Sequence, residues 1–469
     1  MTSRTAEELA LGIRLRRWSA AEVLEAHLAR IGERNGELNA IVLVDEEGAR
    51  RRAREADAAL ARGECWGPLH GVPVTIKDSL ETAGLRTTAG FPPLAEHVPA
   101  ADATVVARLR AAGAVILGKT NLPLLAMNYQ CDSPLLGRGN NPWNLGRTPG
   151  GSTGGGAAAV AAGMSPLEIG SDLGGSVRIP AHYCGIYSLK PTEHRVPITG
   201  HIPELPGVPR GMRHMAVLGP LARSVSDLRL ALQVIAGPDG NYWETPPAPL
   251  EPVTVDRPSV AWIEDFGGCP VTAGTRRALA GLAAKLEQAG WRVERRAPEG
   301  FSFPQVWEAF GSLMWCEIGS TMPAEAEAQF AAGLGAGPEA EDPIGRVIHG
   351  CLNASMKLFT ATMTARDVLI GALERFLTGF DALLCPVTVG PAIPHCPAGT
   401  PVQVDDRTVP YWMGGLAYTG PFNLTGSPVV VLPLSRSEEG LPIGVQVVGR
   451  RWEDMKLLAV AEAIDRVRA

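Results

Sequence analysis

Two serines, each set among glycines, are the candidate nucleophiles of this 469-residue chain. Ser152 lies in GGSTGGG and Ser176 in DLGGSVR, and nine of the 33 residues from 148 to 180 are glycine. Glycine lets the backbone adopt positive φ or approach a ligand closely. A serine hydroxyl needs a nearby base, and attack on a carbonyl needs N–H donors for the anion that forms. Residues 148–180 are therefore typical of backbone shaped for acyl-group chemistry.

The loop that leads to Ser176 meets the second requirement. The N–H groups of Leu173, Gly174, Gly175 and Ser176 can converge, because two of these residues have no side chain in the way. We predict that these four groups form the oxyanion hole.

Lys77 is the candidate base, because the base for a serine need not be histidine. Lys77 ends an apolar strand predicted over 72–76, and strand alternation sends Asp78 to the opposite face. A lysine in a dry pocket with no carboxylate beside it loses its proton more easily than a lysine in water. Lys77 could therefore take a proton from a serine.

Two further motifs match a pattern but lack its context. Gly113–Thr120 satisfies GxxxxGK[ST], yet its loop positions are Ala, Val, Ile and Leu, which belong inside a strand. We therefore expect Lys119 to be a structural lysine at a strand end. Gly150–Gly154 satisfies GxSxG, but the preceding NPWNLGRTPG carries two prolines and cannot be the central strand of a nucleophile elbow. The downstream histidines are expected to be surface or structural residues.

The elements that must position these groups follow a βαβ rhythm, which predicts one large α/β domain with a mainly parallel sheet. Ser19 and Glu22 form a capping box for the helix predicted over 20–36, and Asp102 is expected to cap the helix predicted over 103–113. A Pro-rich passage over 244–253 is the best candidate for a linker. Helices are predicted at 5–14, 20–36, 46–63, 103–113, 225–237, 272–290, across much of 303–377, and at 453–468. Strands are predicted at 38–44, 72–76, 114–118, 184–190, 259–265, 291–297, 381–388, 427–434 and 443–449. An alanine helix and a branched apolar run separate the two glycine clusters.

Composition excludes several classes of protein. Hydrophobic residues make up 45% of the chain, charged residues 20%, and the net charge is 43 − 49 = −6, which argues against nucleic acid as a partner. No run reaches the about 18 apolar residues of a membrane span, and the N-terminus has no signal-peptide core, so we expect a cytoplasmic protein. Eight cysteines without CxxC spacing predict free, mostly buried thiols and no metal site.

Six blocks resemble the amidase signature hydrolases in that family's order, over roughly residues 65 to 460. They are GVPVTIKD, GKTNLP, NNPWNLGRTPGGSTGGGAAAVAAG, GSDLGGSVRIPAHYCGIYSLKPT, GPLARSVSDL and FNLTGSPVVVLPL…GLPIGVQVVGR. The resemblance implies one domain over 1–469 with a central mixed, mainly parallel twisted sheet covered by helices on both faces. Within it, we expect an N-terminal helical segment (1–64), a signature core (65–240) and a C-terminal part (241–469) that completes the sheet and the pocket.

By this resemblance Ser176 is the acyl-enzyme nucleophile, Ser152 the bridging serine and Lys77 the base. The separations, 152 − 77 = 75 and 176 − 152 = 24, agree with the family pattern. The resemblance also implies a cis peptide between Gly151 and Ser152. The implied mechanism is a proton relay from Ser176 through Ser152 to Lys77, without a metal or organic cofactor.

The chain departs from the family pattern at several positions. Thr153 and Gly156 replace common serines, and Leu124 replaces a frequent acidic residue. We expect these changes to alter packing or the pocket edge and to leave the triad intact. Arg178 resembles the family's structural arginine, with binding of a substrate carboxylate as the alternative.

The substrate pocket is predicted with less detail. By resemblance, residues 126–131 border the acyl pocket, and we predict Met127, Asn128, Tyr129, Gly151 and Thr153 as substrate-binding residues. The apolar segments 314–316 and 410–423 suggest a pocket for a neutral group, although a core role for Trp315 is an equal alternative.

Three functions stay open at this point. The leading one is a stand-alone hydrolase of amide C–N bonds, with carbamate (urethane) and ester bonds as further substrates. The second is the glutamine amidase subunit of a tRNA-dependent amidotransferase, and the third is a catalytically silent binding protein of the same fold. The expected partner is a small amide or carbamate, with no nucleic acid or membrane, and the expected state is a monomer or homodimer.

Overall fold

The computed structural model of the chain describes residues 1–203, 210–321 and 354–468. The helices are α1 (Ala6–Arg14), α2 (Ala20–Leu38), α3 (Glu46–Ala61), α4 (Thr104–Ala111), α5 (Gly154–Ala161), α6 (Arg178–Cys184), α7 (Val225–Ile235), α8 (Ala273–Gln288), α9 (Phe303–Gly319), α10 (Met356–Phe376), α11 (Tyr411–Leu416), α12 (Gly420–Leu424) and α13 (Asp454–Arg468). Short 3₁₀ turns lie at Pro92–Leu94 and Leu124–Ala126. Part of the helical stretch predicted over 303–377, namely 322–353, lies outside the described residues.

One eleven-stranded sheet organises the molecule, in the order β1-β3-β2-β4-β6-β5-β12-β13-β9-β7-β8. Its strands are β1 (Ile41–Val44), β2 (Pro73–Lys77), β3 (Val115–Thr120), β4 (Leu167–Asp172), β5 (Tyr187–Lys190), β6 (Val217–Ala222), β7 (Val260–Trp262), β8 (Val293–Arg295), β9 (Ala382–Pro386), β12 (Val429–Arg436) and β13 (Pro442–Val448). β10 (Val402–Val404) and β11 (Arg407–Val409) form a separate hairpin. β2 is parallel to β3 and β4, β7 is parallel to β8 and β9, and the strands between these groups pair antiparallel.

The sheet separates two hydrophobic cores. Along β12, Val430 and Leu432 belong to a core with residues of α1–α4, α7, α8 and α13. Their neighbour Val429 belongs to a second core with residues of α9–α12, and Val431 packs with α5 and α6. Because successive side chains of a strand point to opposite faces, helices cover both faces of the sheet. The predicted fold class, a single α/β domain built on a mixed central sheet, is confirmed. The subdivision at 64/65 and 240/241 stays a prediction.

Most element predictions are confirmed. Ser19 and Glu22 form the predicted capping box at the start of α2. The alanine-rich helix and the branched apolar run between the glycine clusters are α5 and β4. The strand predicted to end before Lys77 is β2, and it includes Lys77 itself.

The predicted cap of α4 is wrong. Ala103 occupies the N-cap position, and no side chain caps this helix. The Asp102 carboxylate instead accepts hydrogen bonds from the N–H of Ala83 (2.7 Å) and from Arg110 Nε (3.0 Å). Because the Asp102 carboxylate is bonded to Ala83 and Arg110, it does not cap α4, and the local capping rule fails here.

The strand β6 is absent from the predicted elements, because Gly219 and Pro220 in its centre normally interrupt strands. β6 nevertheless runs antiparallel to β4, and its pairing with β5 is confined to Leu221 and Ala222. A Cβ on Gly219 would lie 2.1 Å from the carbonyl oxygen of Leu189. Close approach of the backbone therefore requires glycine at this point of the sheet.

The cysteines and the helices test two predictions from composition, namely free, mostly buried thiols and the lack of a membrane-spanning segment. The cysteines at 65, 131, 184, 385 and 396 are free thiols, and those at 131, 184, 269, 316 and 385 are buried as expected. Cys351 lies outside the described residues. Within the described ranges, no helix is both long and apolar enough to span a bilayer.

Candidate active site

Lys77 lies at the end of β2, a strand between β3 and β4 in which every residue is buried. Its side chain is 0% exposed. The Nζ atom is 2.6 Å from Ser152 Oγ and 2.9 Å from Ser171 Oγ, and donates a hydrogen bond to each. The structure therefore brings together two of the three predicted catalytic residues, which lie 75 positions apart in the sequence.

The surroundings of Lys77 make its neutral amine accessible near neutral pH. Burial lowers the pKa of Lys77 to about 7, against the opposing influence of the Asp172 and Glu168 carboxylates. Asp78, as predicted from strand alternation, turns elsewhere: its carboxylate accepts from the N–H and the hydroxyl of Thr88. A lysine whose pKa is near the ambient pH can accept and return protons.

The backbone around Ser152 is tightly enclosed. The Gly151–Ser152 peptide is cis, which confirms the prediction from the family resemblance. Gly150 has φ +86°, and a Cβ there would lie 2.8 Å from Cα of Pro180. A Cβ on Gly151 would lie 2.7 Å from the carbonyl oxygen of Asn128. Only glycine fits at both positions, so the first glycine cluster serves close packing around a buried serine.

The loop that carries Ser176 connects β4 to α6. Leu173, Gly174 and Ser176 are half-buried, whereas Gly175 is buried with φ +129°. The N–H of Thr153 donates to the carbonyl oxygen of Ser176 (3.1 Å), which joins the two glycine clusters directly.

Asp172 holds this loop in shape. Its carboxylate accepts from the N–H of Gly175 (2.8 Å) and of Val177 (3.1 Å), and from Asn423 Nδ2 (2.9 Å). Although burial alone would raise it, the charge and hydrogen bonds of Arg178, with the bond from Asn423, hold the pKa of Asp172 well below its usual range. The predicted oxyanion donor Gly175 is thus engaged with Asp172, which leaves Leu173, Gly174 and Ser176 as candidates.

Arg178 is a structural residue, as the first of its two predicted roles requires. It is 0% exposed. Nε and Nη2 donate to the two oxygens of Asp172 at 3.0 and 2.9 Å, and Nη2 also donates to Asn423 Oδ1. Nη1 donates to the carbonyl oxygen of Thr419 (3.0 Å) and to Gln446 Oε1 (2.9 Å). Because its five donors are used, Arg178 has none left for a substrate carboxylate.

The predicted substrate-binding residues fall into two groups. Met127 is exposed and Asn128 half-buried, whereas Tyr129 is 2% exposed and packs its ring against Gly415. Thr153 is buried, and its hydroxyl donates to the carbonyl oxygen of Ser171 (3.3 Å). Gly151 and Thr153 belong to the first glycine cluster, and the backbone of Asn128 and Tyr129 lies against Gly151. Their contact with substrate stays a prediction.

An apolar wall lies beside the second glycine cluster. A Cβ on Gly174 would lie 3.3 Å from side-chain atoms of both Phe310 and Leu416. The predicted pocket segment 410–423 thus contributes to this wall. Trp315 is 1% exposed and belongs to the second hydrophobic core, in agreement with the alternative core role.

The two motifs without context have the expected structural roles. Three of the four apolar positions of the GxxxxGK[ST] match, 115 to 117, lie in β3, and Lys119 near its end is fully buried. No strand precedes Ser152 between 141 and 151, so the GxSxG match is not a nucleophile elbow. His182 is buried and bonded to backbone groups of Gly390 and Gly444. His349 lies outside the described residues, and within the described ranges no group of three or more His, Cys, Asp or Glu side chains could hold a metal ion.

Ser171 is the residue at the site that sequence reasoning missed. It contacts Lys77 from β4, the strand next to β2. Its position directly before Asp172 in GSDLGGS is the one signal that could have indicated it, because β4 leads straight into the Ser176 loop.

Comparison with known proteins agrees with this site. The sequence profile of the Amidase family matches residues 22–458. The chain is 34% identical to a glutamyl-tRNA(Gln) amidotransferase subunit from Roseiflexus castenholzii, covering 96% of this chain and 92% of that one. It is 34% identical to the indoleacetamide hydrolase of Bradyrhizobium diazoefficiens, covering 98% and 86%. A crystal structure of an amidase superposes with a TM-score of 0.82 at 30% identity, covering 99% of this chain and 100% of that one.

The chain therefore belongs to the amidase signature family. It is an amidase, that is, a hydrolase that acts on amide C–N bonds.

Proposed function

We propose that this amidase cleaves its substrate through an acyl-enzyme on Ser176, with Lys77 as base and Ser152 as the proton bridge between them. The contact between Lys77 Nζ and Ser152 Oγ, 2.6 Å long and fully buried, carries the proposal. A buried lysine beside a serine hydroxyl is the arrangement that activates a nucleophile without histidine.

The first step is a double proton transfer. Neutral Lys77 takes the proton of the Ser152 hydroxyl, and Ser152 takes the proton of Ser176. The Ser176 oxygen then bonds to the carbonyl carbon, and the electron pair of the carbonyl moves to its oxygen. The lowered pKa of Lys77, about 7, supports its role as the acceptor.

The oxyanion is held by backbone N–H groups of the Ser176 loop. We assign this role to Leu173, Gly174 and Ser176, because the N–H of Gly175 donates to Asp172. Gly175 serves instead as a hinge point with positive φ, and the Asp172 carboxylate fixes its orientation. Donors fixed in advance stabilise the developing charge without reorganisation.

The remaining steps return the proton and regenerate the enzyme. The C–N bond breaks, and the leaving amine takes the proton that Lys77 holds, passed back through Ser152. Water then loses a proton to the same relay and attacks the acyl carbon. The acid leaves as Ser176 regains its proton, so no proton or electron is gained or lost by the protein.

The proposed substrate is a small molecule with an uncharged acyl group. The apolar wall of Phe310 and Leu416 beside Gly174 supports this, as does the engagement of all donors of Arg178 within the protein. Carbamates and esters offer the same carbonyl to Ser176, so we include them among the substrates to be tested. We further propose that the chain acts as a monomer or homodimer, without nucleic acid, membrane or cofactor.

Labelling by a fluorophosphonate tests the proposal. We expect stoichiometric labelling of Ser176, located by peptide mass spectrometry, and its loss in Ser176→Ala. Ser165→Ala removes another buried serine, bonded to the carbonyl oxygen of Leu167, and should label normally. A folded chain that is not labelled would instead be the catalytically silent binding protein. A screen of aryl, fatty and primary amides, carbamates and esters then defines the substrate.

A second function is supported by the relative from Roseiflexus castenholzii, of which the chain covers 92%. That protein belongs to an amidotransferase, and a glutamine amidase would use the same relay on the glutamine side-chain amide. Gel filtration with and without candidate partners, combined with a glutaminase assay, separates the two functions. Glutaminase activity that arises only in a complex would contradict a stand-alone hydrolase.

A further inference from the structure

A chain of hydrogen bonds ends on the side chain of Asn128, beside the proposed site. The N–H of Cys396 donates to Gln130 Oε1 (3.2 Å), and Gln130 Nε2 donates to the Tyr411 hydroxyl (2.9 Å). The Tyr411 hydroxyl donates to Asn128 Oδ1 (2.6 Å). The backbone N–H of Gln130 donates to the same oxygen (3.1 Å).

Two backbone groups fix the direction of every bond in this chain. The N–H of Cys396 can only donate, so the amide oxygen of Gln130 faces it and the Gln130 NH₂ faces Tyr411. The N–H of Gln130 can only donate, so the oxygen of Asn128 faces inward. Both lone pairs of this oxygen are used. The NH₂ group of Asn128 is therefore turned away from the hydrogen-bond chain.

The backbone of Asn128 lies beside Gly151, the residue before the proposed bridging serine. Its backbone carbonyl oxygen is 2.7 Å from the position of a Cβ on Gly151, the residue before Ser152. Asn128 is half-buried, whereas Gln130 and Tyr411 are buried at 5% and 1% exposure. Among residues 1–203, 210–321 and 354–468, no acceptor lies within hydrogen-bonding distance of its Nδ2.

The buried partners form a rigid support. The rings of Tyr129 and Tyr411 lie 4.4 Å apart at 33°, and Trp412 packs edge-on against Tyr411 at 5.1 Å. Aromatic packing of this kind restricts the Tyr411 ring. Its hydroxyl, and with it the Asn128 oxygen, is held in place before any substrate binds.

We propose that Asn128 is a specificity-determining residue whose Nδ2 donates a hydrogen bond to an acceptor atom on the acyl part of the substrate. Gln130 and Tyr411 are positioning residues that act through Asn128. The preferred acyl groups carry an ether, carbonyl or carbamate oxygen close to the scissile carbonyl, in place of a methylene. This inference rests on the proposed function, since it takes Ser176 as the nucleophile.

A pair of phosphonofluoridates tests the inference without knowledge of the natural substrate. One carries a propyl group on phosphorus and the other a methoxymethyl group, so that an ether oxygen replaces one methylene. Ser176 Oγ bonds to phosphorus, fluoride leaves, and the serine proton passes to Ser152. The measured quantity is the ratio of the two inactivation rate constants, methoxymethyl over propyl, which cancels general effects on reactivity.

The ratio should fall about tenfold in Asn128→Leu, the loss expected for one neutral hydrogen bond. Asn128→Asp keeps an oxygen for Gln130 and Tyr411 but replaces the donor by an acceptor, so its ratio should fall at least as far. This variant also keeps the test decisive if Asn128→Leu does not fold.

Tyr411→Phe tests the positioning role. It removes the hydroxyl that holds Asn128, and the ratio should fall about threefold. Tyr418→Phe is the matched control, because this hydroxyl also lies in the second core but bonds to the carbonyl oxygen of Cys269. The Tyr418→Phe ratio should equal that of the unmodified enzyme. A purely structural defect would slow both reagents equally and leave the ratio unchanged.

The outcomes separate this inference from the proposed function. If both reagents label Ser176 and the ratio is the same in the unmodified enzyme and in Asn128→Leu, the role of Asn128 is refuted while the nucleophile stands. If neither reagent labels Ser176 in folded protein, the proposed function fails, and the inference fails with it.

Discussion

Lys77 and Lys119 are fully buried lysines on neighbouring parallel strands, with Ile76 of β2 aligned to Lys119 of β3. Lys119 donates to the carbonyl oxygen of Leu80 (2.5 Å) and to two threonine hydroxyls, at 82 (3.0 Å) and 87 (2.8 Å). Its Nζ is 3.9 Å from the carboxylate of Asp78. Within the part of the chain that the structure describes, Lys77 donates only to two serine hydroxyls.

Under the proposed function, the difference means that burial alone does not make a lysine a base. The surroundings of Lys119 supply three acceptors and a carboxylate, so its ammonium form is fully bonded. Burial lowers its pKa to about 8, against about 7 for Lys77. The serine hydroxyls around Lys77 can donate as well as accept, so they are compatible with the neutral amine. We therefore infer that the partners of a buried lysine decide between a structural role and the proposed chemical role.

Replacement of Lys77 should mainly lower the rate of Ser176 labelling, whereas replacement of Lys119 should mainly lower the stability of the fold. The largest effect is expected on the labelling rate of Lys77→Met. Without the base, the second-order rate of Ser176 labelling should fall by about 10³-fold or more. Fluorophosphonate kinetics measure this rate, with circular dichroism to verify folding. A folded variant that retains near-normal labelling would show that another group is the base.

The pH dependence of labelling should follow Lys77. Its pKa is lowered to about 7, and the ammonium form below that pH cannot accept a proton. The rate should therefore fall as pH decreases below 7, by about tenfold per unit, and level off above about 8. Stopped-time labelling from pH 5 to 9 measures the profile. A flat profile would rule out a titrating lysine.

The effect on stability should be larger at Lys119. Lys119→Met leaves the buried Asp78 carboxylate without its cation, so the free energy of unfolding should decrease by about 3 kcal/mol. Lys77→Met leaves two serine hydroxyls, and no charged group, in contact with the new side chain. The free energy of unfolding should therefore change by about 1 kcal/mol or less. Urea unfolding of both variants makes the comparison, and equal losses would mean that the two lysines have the same structural role.

The smallest effect is expected from Glu168, a buried carboxyl on β4 that raises the pKa of Lys77. Burial raises the pKa of Glu168 itself to about 7, so it carries only part of a negative charge near the midpoint. Glu168→Gln keeps the oxygen that accepts from the Thr120 hydroxyl (2.7 Å) but removes this charge. The midpoint of the pH profile should shift downward by less than about one unit. The exposed Glu55→Gln serves as the control. An upward shift would contradict the assigned influence of Glu168.

The sequence predicts those helices and strands for which local pattern decides, and it correctly places Lys77 at the end of a buried strand. Lys77 ends an apolar strand, and the two glycine clusters require backbone that only glycine can form. Both features can therefore be recognised in the amino-acid sequence. The structural role of Arg178 is one of the two roles considered on the basis of the family resemblance, and its contacts with Asp172 agree with it.

Features set by strand order could not be predicted in this way. Ser171 meets Lys77 because β4 lies beside β2, and no local pattern states which strands are neighbours. β6 contains Gly219 and Pro220, which normally indicate the end of a strand. Close packing against the neighbouring strand nevertheless requires the glycine. The bond from Tyr411 to Asn128 joins residues 283 positions apart, and it follows only from the packing of α11.

The hydrogen bonds of Asp172 and Arg178 make the shape of the Ser176 loop depend on the C-terminal part of the chain. Arg178 reaches Thr419 and Gln446, which lie 241 and 268 positions later in the sequence. During synthesis, the loop of Ser176 emerges long before these acceptors exist. We therefore expect Ser176 to become reactive only when the C-terminal strands have joined the sheet, so that an active-site label would count only molecules that have finished folding.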